Sequence, residues 1–214
     1  MPSKLRVRYI FRPLVNLIAK GLSKIGVTPN VATILMLIFA IFSFISLVFF
    51  YNLLYFAIFI FITGIMDGVD GAIARLTNKS TKFGGFFDSI MDRFSEFIIF
   101  LGLFIFCWDQ LLWNLIDMKF IIFISFLASI MISYTRSRAE NFYKGDFDVG
   151  LMARSERLLY LMITSIIAFF YGFFNVFLFI LMWLVIGTGI FRFHKLSFLI
   201  KENERYKLKS IQKS

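Results

Sequence analysis

The chain has 214 residues, of which 59% are hydrophobic and 31 are Phe, with a formal net charge of +10. Soluble domains hold about 45–50% apolar residues, so this composition excludes an ordinary soluble domain and places the chain in a bilayer. Apolar runs recur that can cross a hydrocarbon core, for which about 20 helical residues suffice.

Residues 5–25 set Leu5, Ile10, Leu14, Leu17, Ile18 and Leu22 among basic residues, a spacing that predicts a helix lying in the cytoplasmic interface. A simple positive anchor for the first span would carry the same charges. The amino terminus lacks the charged, apolar, small-residue order of a cleavable signal, so insertion is expected to use the first span itself. Spans are predicted near 31–50, 53–74, 86–108, 118–139, 155–172 and 174–193. They must be helices, because lipid offers no partner for an unpaired backbone amide and no segment alternates like a barrel strand. The expected fold is therefore all-α, a polytopic membrane protein with six transmembrane helices plus an N-terminal cytoplasmic interfacial helix. One domain is expected, with an interfacial segment over 1–28, a six-helix core over 29–195 and a basic cytoplasmic tail over 196–214; no repeat or low-complexity linker divides it.

Charge gives the orientation. Lys4, Arg6, Arg8, Arg12, Lys20 and Lys24 precede the first span, and Lys201, Arg205, Lys207, Lys209 and Lys213 follow the last. Segments 75–84 and 140–154, with their flanks, add Arg75, Lys79, Lys82, Arg136, Arg138, Lys144, Arg154 and Arg157, against Asp109, Asp117 and Lys119 on the other side. Both termini are thus expected on the cytoplasmic side of the cell membrane, with membrane lipids and no nucleic acid as partners. Cys107, in an apolar run, is read as packing, and His194, in a basic segment, as interfacial.

Five of the 13 acidic residues fall between positions 67 and 96: Asp67, Asp70, Asp88, Asp92 and Glu96. An ionised carboxylate costs about 2.5–3.5 kcal/mol at the centre of a spanning helix, so four aspartates would cost roughly 10–14 kcal/mol without compensation. Asp67 and Asp70 are spaced i,i+3 and Asp88 and Asp92 i,i+4, so each pair projects from one helix face and two helices can bring four carboxylates together. Oxygen ligands of this kind favour hard divalent ions, Mg²⁺ or Mn²⁺, with room for two; such ions would also neutralise a bound diphosphate. The alternative is carboxylates capped by Arg75 and Arg93, but two arginines do not balance four acids. Gly64, Gly68, Gly71, Ala72 and Ala74 on one side and Gly84 and Gly85 on the other allow tight helix packing or close approach of a ligand. Arg75, at the aqueous edge, could hold a phosphate in two-point contact or simply set orientation.

The run Asp67-Gly-Val-Asp70-Gly71-Ala-Ile-Ala74-Arg75, followed at fixed spacing by Gly84, Asp88 and Asp92, resembles the signature of the CDP-alcohol phosphotransferase family. All eight defining positions agree. Thr28-Pro29-Asn30 with Thr33 is similar to the segment that precedes the first span in that family. The resemblance implies six spanning helices, a homodimer and a transfer from a CDP-lipid, CDP-archaeol or CDP-diacylglycerol, to an alcohol with release of CMP. Carried over by position, it implies that Asp67, Asp70 and Asp88 hold one Mg²⁺ and Asp67, Asp88 and Asp92 a second, with Mn²⁺ as a substitute. It implies Asp92 as the catalytic base and contacts from Asn30, Gly71, Arg75 and Thr81 to the CDP moiety.

A second cationic group concerns the acceptor. Arg136 and Arg138 end the fourth span, and Arg154 and Arg157 begin the fifth; arginine clusters suit phosphate. Topological charge paired with Glu140 and Glu156 is the competing account. The segments Tyr134-Thr-Arg136-Ser-Arg138-Ala-Glu140 and Ala153-Arg154-Ser-Glu156-Arg157-Leu158 resemble the inositol-phosphate-using members, which implies inositol 1-phosphate as acceptor, its phosphate held by Arg136, Arg138, Arg154 and Arg157. Glycerol 3-phosphate, serine or free inositol are the alternatives within the family. A cation transporter is the alternative from another class, disfavoured because the acids keep a fixed spacing at one membrane face instead of lining a path across it.

Overall fold

The computed structural model describes residues 7–142 and 150–211. Leu5, Lys4, Arg6, Lys144 and Lys213, which entered the expected amphipathic stretch and orientation, lie outside the described residues. The chain forms α1 (Val7–Ile10), α2 (Arg12–Lys24), α3 (Pro29–Val48), α4 (Leu53–Leu76), α5 (Lys82–Phe106), a short hairpin of β1 (Leu111–Leu112) and β2 (Ile116–Asp117), α6 (Met118–Phe142), α7 (Arg154–Tyr171) and α8 (Phe174–Ile211).

Side chains at the breaks decide where the helices start. Thr28 accepts a hydrogen bond from the Val31 amide, with Pro29 in the first turn of α3. Asn52 accepts from the amides of Leu54 and Tyr55 at 2.9 and 3.0 Å to begin α4. Thr81 accepts from the Gly84 amide at 2.9 Å to begin α5. Each cap satisfies amides that a helix start leaves without partners. The hairpin closes through Trp113 and Asn114, both left-handed at φ 53° and 57°, and the Leu115 amide donates to the Leu112 carbonyl at 3.1 Å.

Four helical stretches, residues 29–48, 53–76, 118–142 and 174–203, are each long and apolar enough to cross a membrane. The other two expected spans also form helices, α5 and α7. They are of comparable length but carry Asp88, Asp92, Arg93 and Glu96, and Arg154, Glu156 and Arg157, toward their N-terminal ends. Helix α8 runs on through most of the segment read as a basic tail, since nothing after His194 breaks it, and Leu196, Leu199 and Ile200 pack with Ala139.

Helix α4 packs against α3, α7 and α2, while α5 leans on α3 and α6 pairs with α8. Apolar contacts gather into two clusters. One joins α2, α3 and α4 through Ala19, Met36, Met66, Val69 and Ile73; the larger holds Leu47, Phe56, Ile60, Ile99, Leu103, Leu161 and Leu181. Cys107 is buried in the larger cluster, as its reading as a packing residue requires. Three buried hydroxyls that lipid cannot satisfy bond back to their own helix, Ser46 to the Phe42 carbonyl, Thr63 to Phe59 and Ser125 to Ile121.

Helices α3 and α5 approach closely at Gly102, where an added Cβ would lie 3.3 Å from the Phe44 Cα. Backbone cannot yield there as a side-chain tip would. Gly102→Val is expected to destabilise the protein by about 1–3 kcal/mol, read as a lowered Tm in detergent; an unchanged Tm would contradict this packing.

Candidate active site

Five residues separate α4 from α5. The Thr77 amide donates to Ile73 at 2.9 Å, the Lys79 amide donates to Ala74 at 3.0 Å, and Asn78 turns left-handed at φ 55°. This reversal sets the last turns of α4 beside the first turns of α5, so the two acid pairs face one another.

Asp67, Asp88 and Asp92 each offer a carboxylate oxygen, all within 4.8 Å of one another. Among the described residues, Asp88 Oδ1 is buried without a hydrogen-bond partner. Three convergent carboxylates with an unsatisfied buried oxygen are the donor set of a hard divalent cation, and the residues present fit such an ion. Asp70 stands slightly apart, 5% exposed, its carboxylate accepting from Thr33 Oγ1 at 2.7 Å. Thr33 thereby ties α3 to the acid cluster.

A cation does lie among these acids, and it is Arg154 at the start of α7, not Arg75 or Arg93. Its Nη1 donates to both Asp67 and Asp92, and its Nη2 donates to Ser95 Oγ and to Met36 Sδ at 3.4 Å. Arg93 is more distant, 3.8 Å from Asp92, and bonds the Ser89 carbonyl.

The four aspartates open into a cavity of about 730 Å³. Gly71, Arg75, Arg136, Arg154 and Arg192 line it, and Tyr9, Arg12 and Asn16 of α1 and α2 form part of its wall. Arg75 Nη1 lies 3.3 Å from where a Gly71 Cβ would stand, so glycine leaves the guanidinium room beside α4. Gly71→Ala is expected to push Arg75 aside and weaken the binding of a phosphate-bearing ligand in the cavity about fivefold, a loss near 1 kcal/mol; an unaltered affinity would separate Gly71 from ligand binding.

Other expected site residues are placed elsewhere. Asn30 and Thr81 do not line the cavity; Thr81 caps α5, and both flank Gly84, whose Cβ would lie 3.0 Å from Thr81 Oγ1 and 3.7 Å from Asn30 Oδ1. Of the four arginines expected on the acceptor phosphate, Arg136 and Arg154 line the cavity and Arg138 and Arg157 do not. Arg138 lies over the Phe142 ring at 5.3 Å. Arg157 is 1% exposed: Nε and Nη2 donate to Glu96 Oε1, and Nη1 donates to the Met152 carbonyl at 2.7 Å. A guanidinium so committed has no free edge for a ligand. Arg136 also bonds Glu140, at 2.9 Å, with both side chains well exposed, which fits the local pairing considered for this group.

Sequence reasoning missed Arg192. The structure buries it to 2% exposure on the cavity wall, with Nη1 donating to the Ile132 carbonyl at 3.1 Å. The signal was present, since a charge inside an apolar helix turns toward the bundle interior. Ser95, one turn beyond Asp92, carried no such signal.

A family profile described as CDP-alcohol phosphatidyltransferase matches residues 26–192. An archaetidylinositol phosphate synthase of Pyrococcus horikoshii is 34% identical over 169 residues, 78% of this chain and 82% of its own. The crystal structure of Mycobacterium tuberculosis phosphatidylinositol phosphate synthase with CDP-DAG bound resembles this fold with a TM-score of 0.71 at 27% identity, covering 86% of this chain and 94% of that one. The same enzyme in complex with manganese and citrate gives a TM-score of 0.72 at 27% identity, covering 85% and 88%.

Proposed function

This chain belongs to the CDP-alcohol phosphatidyltransferase family, and on that premise we propose that it transfers a phosphatidyl or archaetidyl group from a CDP-lipid to inositol 1-phosphate, releasing CMP. The observation that carries the reading is a single cavity in which Asp67, Asp88 and Asp92 converge, with Arg154 among them and Arg136 and Arg192 also lining it. Acids for cations and arginines for a second phosphate are what a phosphorylated acceptor needs beside a diphosphate donor.

In this reading Asp67, Asp70 and Asp88 hold one Mg²⁺ and Asp67, Asp88 and Asp92 a second. Bound divalent ions would neutralise the diphosphate and stabilise the charge that develops on it. Asp92 takes the proton of the acceptor hydroxyl, whose oxygen bonds to the β-phosphorus as the bond from that phosphorus to CMP breaks. Arg154, exchanging its bonds to Asp67 and Asp92 for the ligand, holds the acceptor phosphate together with Arg136 and Arg192, so that the hydroxyl faces the β-phosphorus. Gly71 and Arg75 receive the CDP diphosphate, and Asn30 and Thr81 shape the approach to it from the start of α3 and α5.

The chain is a membrane protein. We take α5 and α7 as two further spans, giving six, with both termini and the cavity facing the cytoplasm, α2 lying in the interface and two copies forming a homodimer. The amphipathic α2, whose Val15, Ile18 and Leu22 pack against the α3 and α4 cluster while Lys20 and Lys24 are exposed, supports that placement.

Purified protein with Mg²⁺ and either CDP-archaeol or CDP-diacylglycerol is expected to release CMP with inositol 1-phosphate. Glycerol 3-phosphate, serine and free inositol are expected to give little, and a chelator should abolish release. Turnover confined to another alcohol would overturn the acceptor, and turnover unaffected by chelation would overturn the metal assignment.

A further inference from the structure

Glu96 and Arg157 form a buried ion pair that the chemistry above leaves without a task. Glu96 is 4% exposed and Arg157 1%. On α5, Asp92, Ser95 and Glu96 occupy one turn; on α7, Arg154 and Arg157 occupy one turn. Arg154 reaches Asp92 and Ser95, and Arg157 reaches Glu96. The two helices are thus joined by two arginine rungs, one in the cavity and one beneath it.

The backbone packing shows what the lower rung does. Helix α7 lies closely along α4, whereas α5 packs on α3 and meets α7 through side chains. The relation between Arg154 and Asp92 is therefore not fixed by close backbone packing of α5 on α7. Arg157 supplies that tie: Nε and Nη2 grip Glu96, while Nη1 donates to the Met152 carbonyl at 2.7 Å, two residues before Arg154. One planar guanidinium thus holds both the α5 turn that bears Asp92 and the strand of chain from which Arg154 projects. A buried ion pair adds little net stability over apolar residues of similar size, so what it provides here is direction.

We infer that Glu96 and Arg157 are positioning residues that hold Arg154 in the cavity beside Asp67 and Asp92, and that Arg157 acts through Arg154 without touching substrate. The inference rests on Arg154 working in the site, as proposed above. It is tested by a mutant cycle that measures CMP release with whichever acceptor the unmodified protein uses, so a wrong acceptor assignment leaves it readable. Glu96→Met with Arg157→Met replaces the pair by apolar side chains and is expected to keep the Tm while lowering kcat/KM about 10- to 100-fold, the cost of a misplaced group. The same double change made on Arg154→Ala is expected to lower kcat/KM by less than about twofold, because groups acting as one unit are not additive. Should the apolar pair fail to fold, Arg157→Lys keeps the charge against Glu96 but cannot reproduce the planar grip on Glu96 and Met152 together, and enters the same cycle. A loss of equal size with and without Arg154, or normal turnover in a variant lacking the pair, would overturn the inference.

Discussion

Asp92→Asn is expected to lower kcat for CMP release by about 10²- to 10⁴-fold, the range for removal of a general base. The change preserves side-chain volume and removes the charge and the basic oxygen. In the structure Asp92 touches Arg154 and lies within 4.8 Å of Asp67 and Asp88, so the variant also weakens the cation site. Raising Mn²⁺ separates the two effects. If Asp92 acted as a ligand alone, saturating metal would restore most of the turnover; as the base, it leaves a deficit that metal does not repair. Asp70→Asn is the useful control, because Asp70 is turned toward Thr33 and stands outside the close trio. Its loss should be smaller and recover more fully with metal. Full recovery of Asp92→Asn at high Mn²⁺ would remove Asp92 from the role of base.

Much of the site was readable from the residues because its chemistry is local in sequence. Asp67, Asp70, Asp88 and Asp92 lie on two consecutive helices joined by a short turn, and helical spacing alone sets each pair on one face. All four line one cavity, as that spacing implied. The arginines were harder. Arg136, Arg138, Arg154 and Arg157 look alike in sequence, and which of them meets the acids depends on how α7 packs against α4 and α5. Local spacing offers no rule for that. Position within the turn decided it: Arg154 projects toward Asp67 and Asp92, while Arg157, three residues on, points under the cavity to Glu96. Glu96, fifth among the acids clustered in sequence, is the partner of a buried cation. Helix α8 extends past the apolar run because hydropathy marks the end of lipid contact, whereas helix ends require a breaker or cap that residues 194–211 lack.

Arg154→Gln is expected to have its largest effect where a simple ligand-binding residue would have none, in the metal-free protein. Arg154 is the cation shared by Asp67 and Asp92, with side chains 13%, 26% and 17% exposed. Removing one partner of a buried pair costs about 3–5 kcal/mol, and the partial exposure of Asp67 puts the loss at the lower end. Measured in chelator, the Tm of the variant should fall well below that of the parent. Added Mn²⁺ should then raise it by more than in the parent, because the ion meets carboxylates that no guanidinium already occupies. Turnover adds an independent reading. If Arg154 also holds the acceptor phosphate, losing a charge-assisted hydrogen bond worth about 1.5–3 kcal/mol raises KM for the phosphorylated acceptor about 10- to 100-fold, while KM for the CDP-lipid changes little. Equal Tm for both proteins in chelator would show that Arg154 does not serve as the counterion of the acids. An unchanged acceptor KM would leave Arg136 and Arg192 as the phosphate grip and confine Arg154 to balancing the acids.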